Sequence, residues 1–208
     1  MNFSTFFSEQ ARKPTGLFGR LVMSNIFNIG NAKLNRFVHE ILSVQENDHI
    51  LEIGFGTGKL IYAMAKQIDK GLIEGVDFSS TMVSIAQKRN KKHIERGKVI
   101  IRKGNFDEIS FKKDGFNKAC SVNTIYFWTK PENTAKKVVD LLKPGGKFVA
   151  AFEDIAQLEQ RQLSNEVFRL YSKDDVKNLL VDAGFSNGVS IKSREFRSAV
   201  LNCAIAIK

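Results

Sequence analysis

Apolar positions along this chain switch repeatedly between two periods. Over residues 32–43, Leu34, Phe37, Val38, Ile41 and Leu42 fall at helical spacing and mark one face of a helix. A short apolar strand follows, Ile50-Leu51-Glu52-Ile53, and runs into a loop rich in glycine. Helical spacing resumes from about Lys59 to Gln67. A second strand is expected over Leu72–Asp77, and Ser79 can cap the helix after it. Strand three is expected at Val99–Arg102 and strand four at Lys118–Val122. The next helix has Pro131 near its first turn, Ala135, Val138, Val139 and Leu142 on one face, and Pro144-Gly145-Gly146 to end it. Strand five is expected at Lys147–Phe152. Ser172 and Asp175 form a capping box for a last helix striped by Val176, Leu179, Leu180 and Ala183 and closed by Gly184. Two late strands are expected near Val189–Lys192 and Ala199–Ile207. Strand and helix alternating in this way predict the α/β class, a doubly wound and mostly parallel sheet.

Two stretches break the alternation. Residues 1–48 are rich in Phe (Phe3, Phe6, Phe7, Phe18, Phe27, Phe37), and residues 153–171 separate strand five from the last helix. Each is placed either to cover the sheet or to build a lid and a substrate pocket. A length of 208 residues fits one domain. It divides into an N-terminal helical lid (1–48), a cofactor-binding core (49–152), a cap insertion (153–171) and a C-terminal helix with strands (172–208).

Composition narrows the function classes. No uncharged run is long enough to span a bilayer, and no apolar segment precedes a small-residue cleavage site near the N-terminus. A cytoplasmic protein is therefore expected, without membrane insertion; the acid-poor start leaves a transit peptide as the alternative. Cys120 and Cys203 lie far from any metal-binding spacing and read as buried reduced thiols. His39, His49 and His93 are scattered, so no metal site is expected. The net charge of +10 invites a nucleic-acid partner. The positive charge is spread along the chain, however, and only Lys88, Arg89, Lys91, Lys92, Arg96 and Lys98 cluster, as they would on a solvated helix face.

The most informative run is Ile50-Leu51-Glu52-Ile53-Gly54-Phe55-Gly56-Thr57-Gly58-Lys59. Glycines at alternate positions permit a tight turn with positive φ and let bare backbone touch a ligand. A phosphate-binding loop needs a Gly where Ile53 stands and Ser or Thr where Leu60 stands. A dinucleotide loop counted from Gly54 needs a small residue at Lys59. Glu52 would also repel a pyrophosphate, whereas it suits a ligand carrying an ammonium and a sulfonium.

ILEIGFGTG resembles the first motif of class I S-adenosylmethionine-dependent methyltransferases, of the small-molecule type 11 kind. Gly75-Val76-Asp77-Phe78-Ser79 resembles the end of that family's second strand, with Asp77 19 positions after Gly58. Gly104-Asn105-Phe106 is similar to the end of its third strand, Asn105 replacing the usual Asp, and Leu142-Lys143-Pro144-Gly145-Gly146 is similar to its turn before strand five. The likeness is strongest over residues 49–152. It implies a Rossmann-like seven-stranded sheet with a reversed last strand, to which residues 1–48 would add an N-terminal helical extension. The implied activity is methyl transfer from S-adenosylmethionine, leaving S-adenosylhomocysteine, to a small-molecule acceptor that the sequence does not identify. The implied cofactor-binding residues are Glu52, Gly54, Phe55, Gly56, Thr57, Gly58, Asp77, Phe78, Met82, Asn105, Phe106 and Asn123.

Alternatives stay open at several of these positions: Asp77 as a helix N-cap, Met82 as core, Asn105 as a turn residue. No catalytic base declares itself. Asn123-Thr124-Ile125-Tyr126 is similar to an amino-group methyltransferase motif without its prolines, and Tyr126, Phe127 and Trp128 read as pocket or packing residues. Glu153 is a further candidate. An RNA methyltransferase using the basic cluster and an NAD-dependent oxidoreductase are the rival enzyme readings.

Overall fold

A computed structural model describes residues 3–161, 167–196 and 199–208. Five strands run parallel to one another: β1 (His49–Ile53), β2 (Leu72–Asp77), β3 (Val99–Lys103), β4 (Phe116–Val122) and β5 (Leu142–Phe152). β6 (Val189–Phe196) and β7 (Ala199–Ile207) form a hairpin, and β7 lies antiparallel to β5. The order β3-β2-β1-β4-β5-β7-β6 reverses direction between β1 and β4. In such sheets that reversal opens a crevice at the carboxyl ends of the strands.

Both faces of the sheet are covered, which explains why its strands read as near-continuous apolar runs. Ile50, Val149 and Ala151 pack beneath α4 (Ala32–Leu42), α5 (Lys59–Ala65) and α6 (Ser80–Glu95). Leu51, Ile53, Phe148 and Ala150 face the other way, toward α7 (Pro131–Leu141) and α9 (Lys173–Asp182). Ser79 caps α6 by accepting from the Met82 N–H, and the Ser172–Asp175 box caps α9. Cys120 and Cys203 are buried free thiols, and burial pushes both above the ordinary thiol range.

The turn before β5 departs from expectation. The helix stops at Leu141, and Leu142 is already extended and paired with Phe116 of β4. Both side chains are buried, so pairing hides more apolar surface than another helical turn would, and Pro144 disfavours helix at Lys143. A register shift between Phe116 and Lys118 absorbs the Pro-Gly-Gly stretch.

Ahead of β1 lie α1 (Phe3–Arg12) and a continuous rod made of α2 (Gly16–Phe18), a wide turn at Gly19–Met23 and α3 (Ser24–Gly30). A side chain at Gly19 would press into the backbone of Pro14, so the chain can fold back only with glycine there. Between β5 and α9 the described part of the insertion holds α8 (Ile155–Leu158) and a tight turn at Glu159–Arg161. Among the described residues no helix is long and apolar enough to cross a membrane.

Candidate functional site

The loop after β1 has Gly54, Gly56 and Gly58 at φ +69°, +53° and +67°, conformations that cost most residues energy and glycine little. Close packing imposes glycine a second time. A Cβ on Gly54 would collide with Thr124, and one on Gly58 would stand 2.7 Å from the Ala86 Cβ. The loop is tied to its neighbours by the Gly54 N–H, which donates to the Val76 carbonyl at 2.8 Å, and by Asn90, which donates to the Gly58 carbonyl at 3.1 Å.

Asp77 closes β2 and receives two backbone N–H groups, Gly56 on Oδ2 and Ser79 on Oδ1, each at 2.9 Å. Burial raises its carboxyl to about 6, and these two bonds oppose the rise. The cap of α6 is Ser79, so Asp77 does not act as the N-cap. It holds the second strand to the glycine loop and faces the cavity described below.

Glu52 is 2% exposed, and its Oε2 has no hydrogen-bond partner among the described residues. Burial first, and the charge of Asp77 second, push its carboxyl up to about 8, against one bond from the Ile61 N–H. A buried, half-satisfied carboxylate is expensive unless a positive group reaches it.

A cavity of about 890 Å³ opens at the switch point. It brings together Glu52, Gly54, Phe55, Gly56, Thr57, Asp77, Phe78, Met82, Asn105, Phe106 and Asn123. Gly58 alone of the twelve implied residues is absent from its lining and is turned against α6. Asn105 is engaged in its own turn: Oδ1 accepts from the Asp107 N–H and Nδ2 donates to Glu108. Asn123 ends β4 at φ +54°, a conformation that Asn tolerates better than most residues, and its Nδ2 donates to Asn31 Oδ1 at 3.0 Å. Asn123 and Tyr126 do meet, with the Tyr126 hydroxyl 3.4 Å from Asn123 Oδ1. That hydroxyl is, however, committed to the Glu153 backbone, accepting from its N–H at 2.5 Å and lying 3.2 Å from its carbonyl.

The rest of the cavity is built by the two stretches that break the sequence alternation, together with the turn after β4. Phe7, Met23, Ile26 and Phe27 come from the N-terminal helices, Phe127 and Trp128 from the turn after β4, and Leu158 and Phe168 from the insertion. Phe127 and Phe168 meet edge to face with ring centres 4.8 Å apart, so these aromatics both pack together and line the space. Residues 162–166 of the insertion lie outside the described residues.

The polar contacts that fasten the N-terminal helices were not foreseen. Asn28 Oδ1 accepts from Thr57 Oγ1 at 2.8 Å and from Arg89 at 3.2 Å, and the Asn28 carbonyl accepts from Lys59. Arg89 also donates to the Thr57 carbonyl at 2.8 Å. The Ser79 hydroxyl donates to the Pro14 carbonyl at 2.6 Å. Arg89 thus leaves the basic cluster to serve this latch, and Lys98 is drawn to the Ile68 carbonyl and Asp69.

Residues 50–146 match the family described as "Methyltransferase domain". The uncharacterized methyltransferase YdaC of Bacillus subtilis is 26% identical over 188 residues, covering 90% of this chain and 98% of that protein. A demethylmenaquinone methyltransferase of Lactiplantibacillus plantarum is 28% identical over 133 residues, covering 61% of this chain and 54% of its own. The chain spans about half the length of several other curated relatives it matches. Among solved structures, phosphoethanolamine N-methyltransferase 2 of Haemonchus contortus, in complex with S-adenosyl-L-methionine, superposes with a TM-score of 0.76 at 16% identity, over 98% of this chain and 60% of that one.

Proposed function

We propose, from the premise that this chain belongs to the class I S-adenosylmethionine-dependent methyltransferases, that its acceptor is a small apolar molecule held under the N-terminal helices. The cofactor of the enzyme is S-adenosylmethionine, and its product is S-adenosylhomocysteine. The observation that carries the residue assignment is the orphaned Glu52 oxygen, buried beside a loop of bare backbone. A cationic amino-acid tail satisfies it, and a phosphate does not. Glu52 and the backbone of Gly54 and Gly56 would hold that tail. Asp77 spends one backbone bond on each oxygen and keeps lone pairs for a ribose diol. Phe78 and Met82 would pack on adenine. Asn105 would contribute through its backbone, since its side chain is spent in the turn.

When bound, the cofactor supplies a methyl group on a sulfonium, whose departure leaves a neutral thioether. The protein then has mainly to align the acceptor and exclude water. Phe127, Trp128, Leu158 and Phe168 give an apolar wall for that purpose, and Asn31 and Asn123 supply a few polar contacts to orient the acceptor. A volume of about 890 Å³ is near the upper end for a single small ligand, which leaves room for an acceptor beside the cofactor. The relatives named for small-molecule methylation, among them the demethylmenaquinone enzyme, support this class of acceptor. A turnover screen with labelled methyl donor tests the proposal: label should enter an apolar small-molecule pool, and label entering only RNA would overturn it.

A further inference from the structure

The rod Gly16–Gly30 has two unlike sides. Met23 and Phe27 turn toward the cavity, and Met23 is fully buried. Leu21 (61% exposed), Val22 (39%) and Ile29 (78%) project into solvent. With Ile26, four of the seven large apolar side chains that are exposed among the described residues fall within nine positions. Single exposed apolar residues are ordinary, but a cluster of them on one element marks an interaction surface.

The charge around the rod selects the partner. From Gln10 to His39 the sequence has five basic residues, Arg12, Lys13, Arg20, Lys33 and Arg36, and no acidic one. Arg12 and Lys13 stand exposed just before the rod, at the rim of the cavity that they help to line, and Lys33 and Arg36 stand exposed just after it. An apolar solvent-facing side flanked at both ends by cations suits a helix lying in the interface of an anionic bilayer. Fifteen residues make a rod of roughly 22 Å, too short to span a hydrocarbon core of about 30 Å, so the rod lies on the membrane.

We infer that this rod docks the enzyme on anionic lipid surfaces and thereby sets the cavity against the bilayer, from which a lipid-soluble acceptor enters. Ile26 connects the two roles, since it lines the cavity and is 40% exposed. The acceptor class rests on the proposed function; the docking does not.

Co-sedimentation with vesicles tests it. The full chain should pellet with vesicles of about 30% phosphatidylglycerol in phosphatidylcholine at roughly 0.05 M salt, and severalfold less with pure phosphatidylcholine or at roughly 0.5 M salt. Leu21→Ser with Ile29→Ser should lower the vesicle partition about tenfold or more. Both positions are outside the cavity lining, so the double variant should keep the wild-type thermal shift with S-adenosylhomocysteine. A lost thermal shift in the wild type would strike the family-based site, whatever the vesicles do. Docking is overturned if the wild type does not pellet with anionic vesicles or if the double variant pellets equally well. It is also overturned if the wild type is a dimer that the double variant converts to a monomer, since a second copy then covers the face.

Discussion

Replacing Glu52 by Gln keeps the side chain's shape and removes its charge, so it isolates the electrostatic role of the buried carboxylate. In the free protein the carboxyl sits at about 8. At pH 7 roughly one molecule in ten carries the charge there, and drawing the proton off costs about 1.4 kcal/mol. Removing one partner of a buried ion pair costs about 3–5 kcal/mol. The difference, about 1.6–3.6 kcal/mol, predicts that Glu52→Gln weakens S-adenosylhomocysteine binding roughly 15- to 400-fold in titration calorimetry at pH 7. Wild-type affinity should climb with pH toward about 8, because binding must displace a proton below that value, and the variant should lack that climb. The free proteins supply an independent readout. A folded pKa raised from 4.5 to about 8 gives stability that is fully present below 4.5 and lost as pH rises through about 8. Ligand-free Glu52→Gln should therefore melt like wild type near pH 5 and above it near pH 8.5. Equal affinities at pH 7, with melting temperatures that stay parallel over this range, would refute the reasoning.

Three further variants probe the surrounding structure. Asp77→Ala strands the buried N–H of Ser79 and the half-buried N–H of Gly56, so it should cost about 1–3 kcal/mol in denaturant unfolding and abolish the thermal shift with S-adenosylhomocysteine. Gly58→Ala places a Cβ at φ +67° and 2.7 Å from Ala86, and should lower stability by about 1–3 kcal/mol; an unchanged melting temperature would contradict the packing described. Arg89→Ala releases Thr57 and Asn28 together, so limited proteolysis should cut the N-terminal segment several times faster and calorimetry should show affinity falling roughly 5- to 30-fold.

What could be read from the sequence was local. The glycine loop, the Ser79 cap and the Ser172–Asp175 box each specify their backbone within a few residues, and each appears where expected. The Pro144-Gly145-Gly146 stretch misled because it can equally end a helix or bulge into a strand, and pairing between Phe116 and Leu142 decides the matter from 26 residues away. Asn105 was open between turn and ligand because an amide serves either, and its side chain bonds Glu108 and the Asp107 N–H close by in sequence. The latch of Asn28, Thr57 and Arg89 joins positions 29 and 61 apart, and no periodicity or motif marks it. Arg89 looked like one more cation on a solvated helix face until the N-terminal helices were seen to fold over it.

In the proposed complex a cationic tail meets Glu52 while a sugar diol meets Asp77. Crystals grown with S-adenosylhomocysteine test this most directly. The predicted map has the ligand's ammonium within hydrogen-bonding distance of Glu52 Oε2 and both ribose hydroxyls on Asp77, beneath Asn28 and the rod it fastens. Density for the ligand anywhere else, or ligand seated in the cavity with Glu52 still unpartnered, would contradict it.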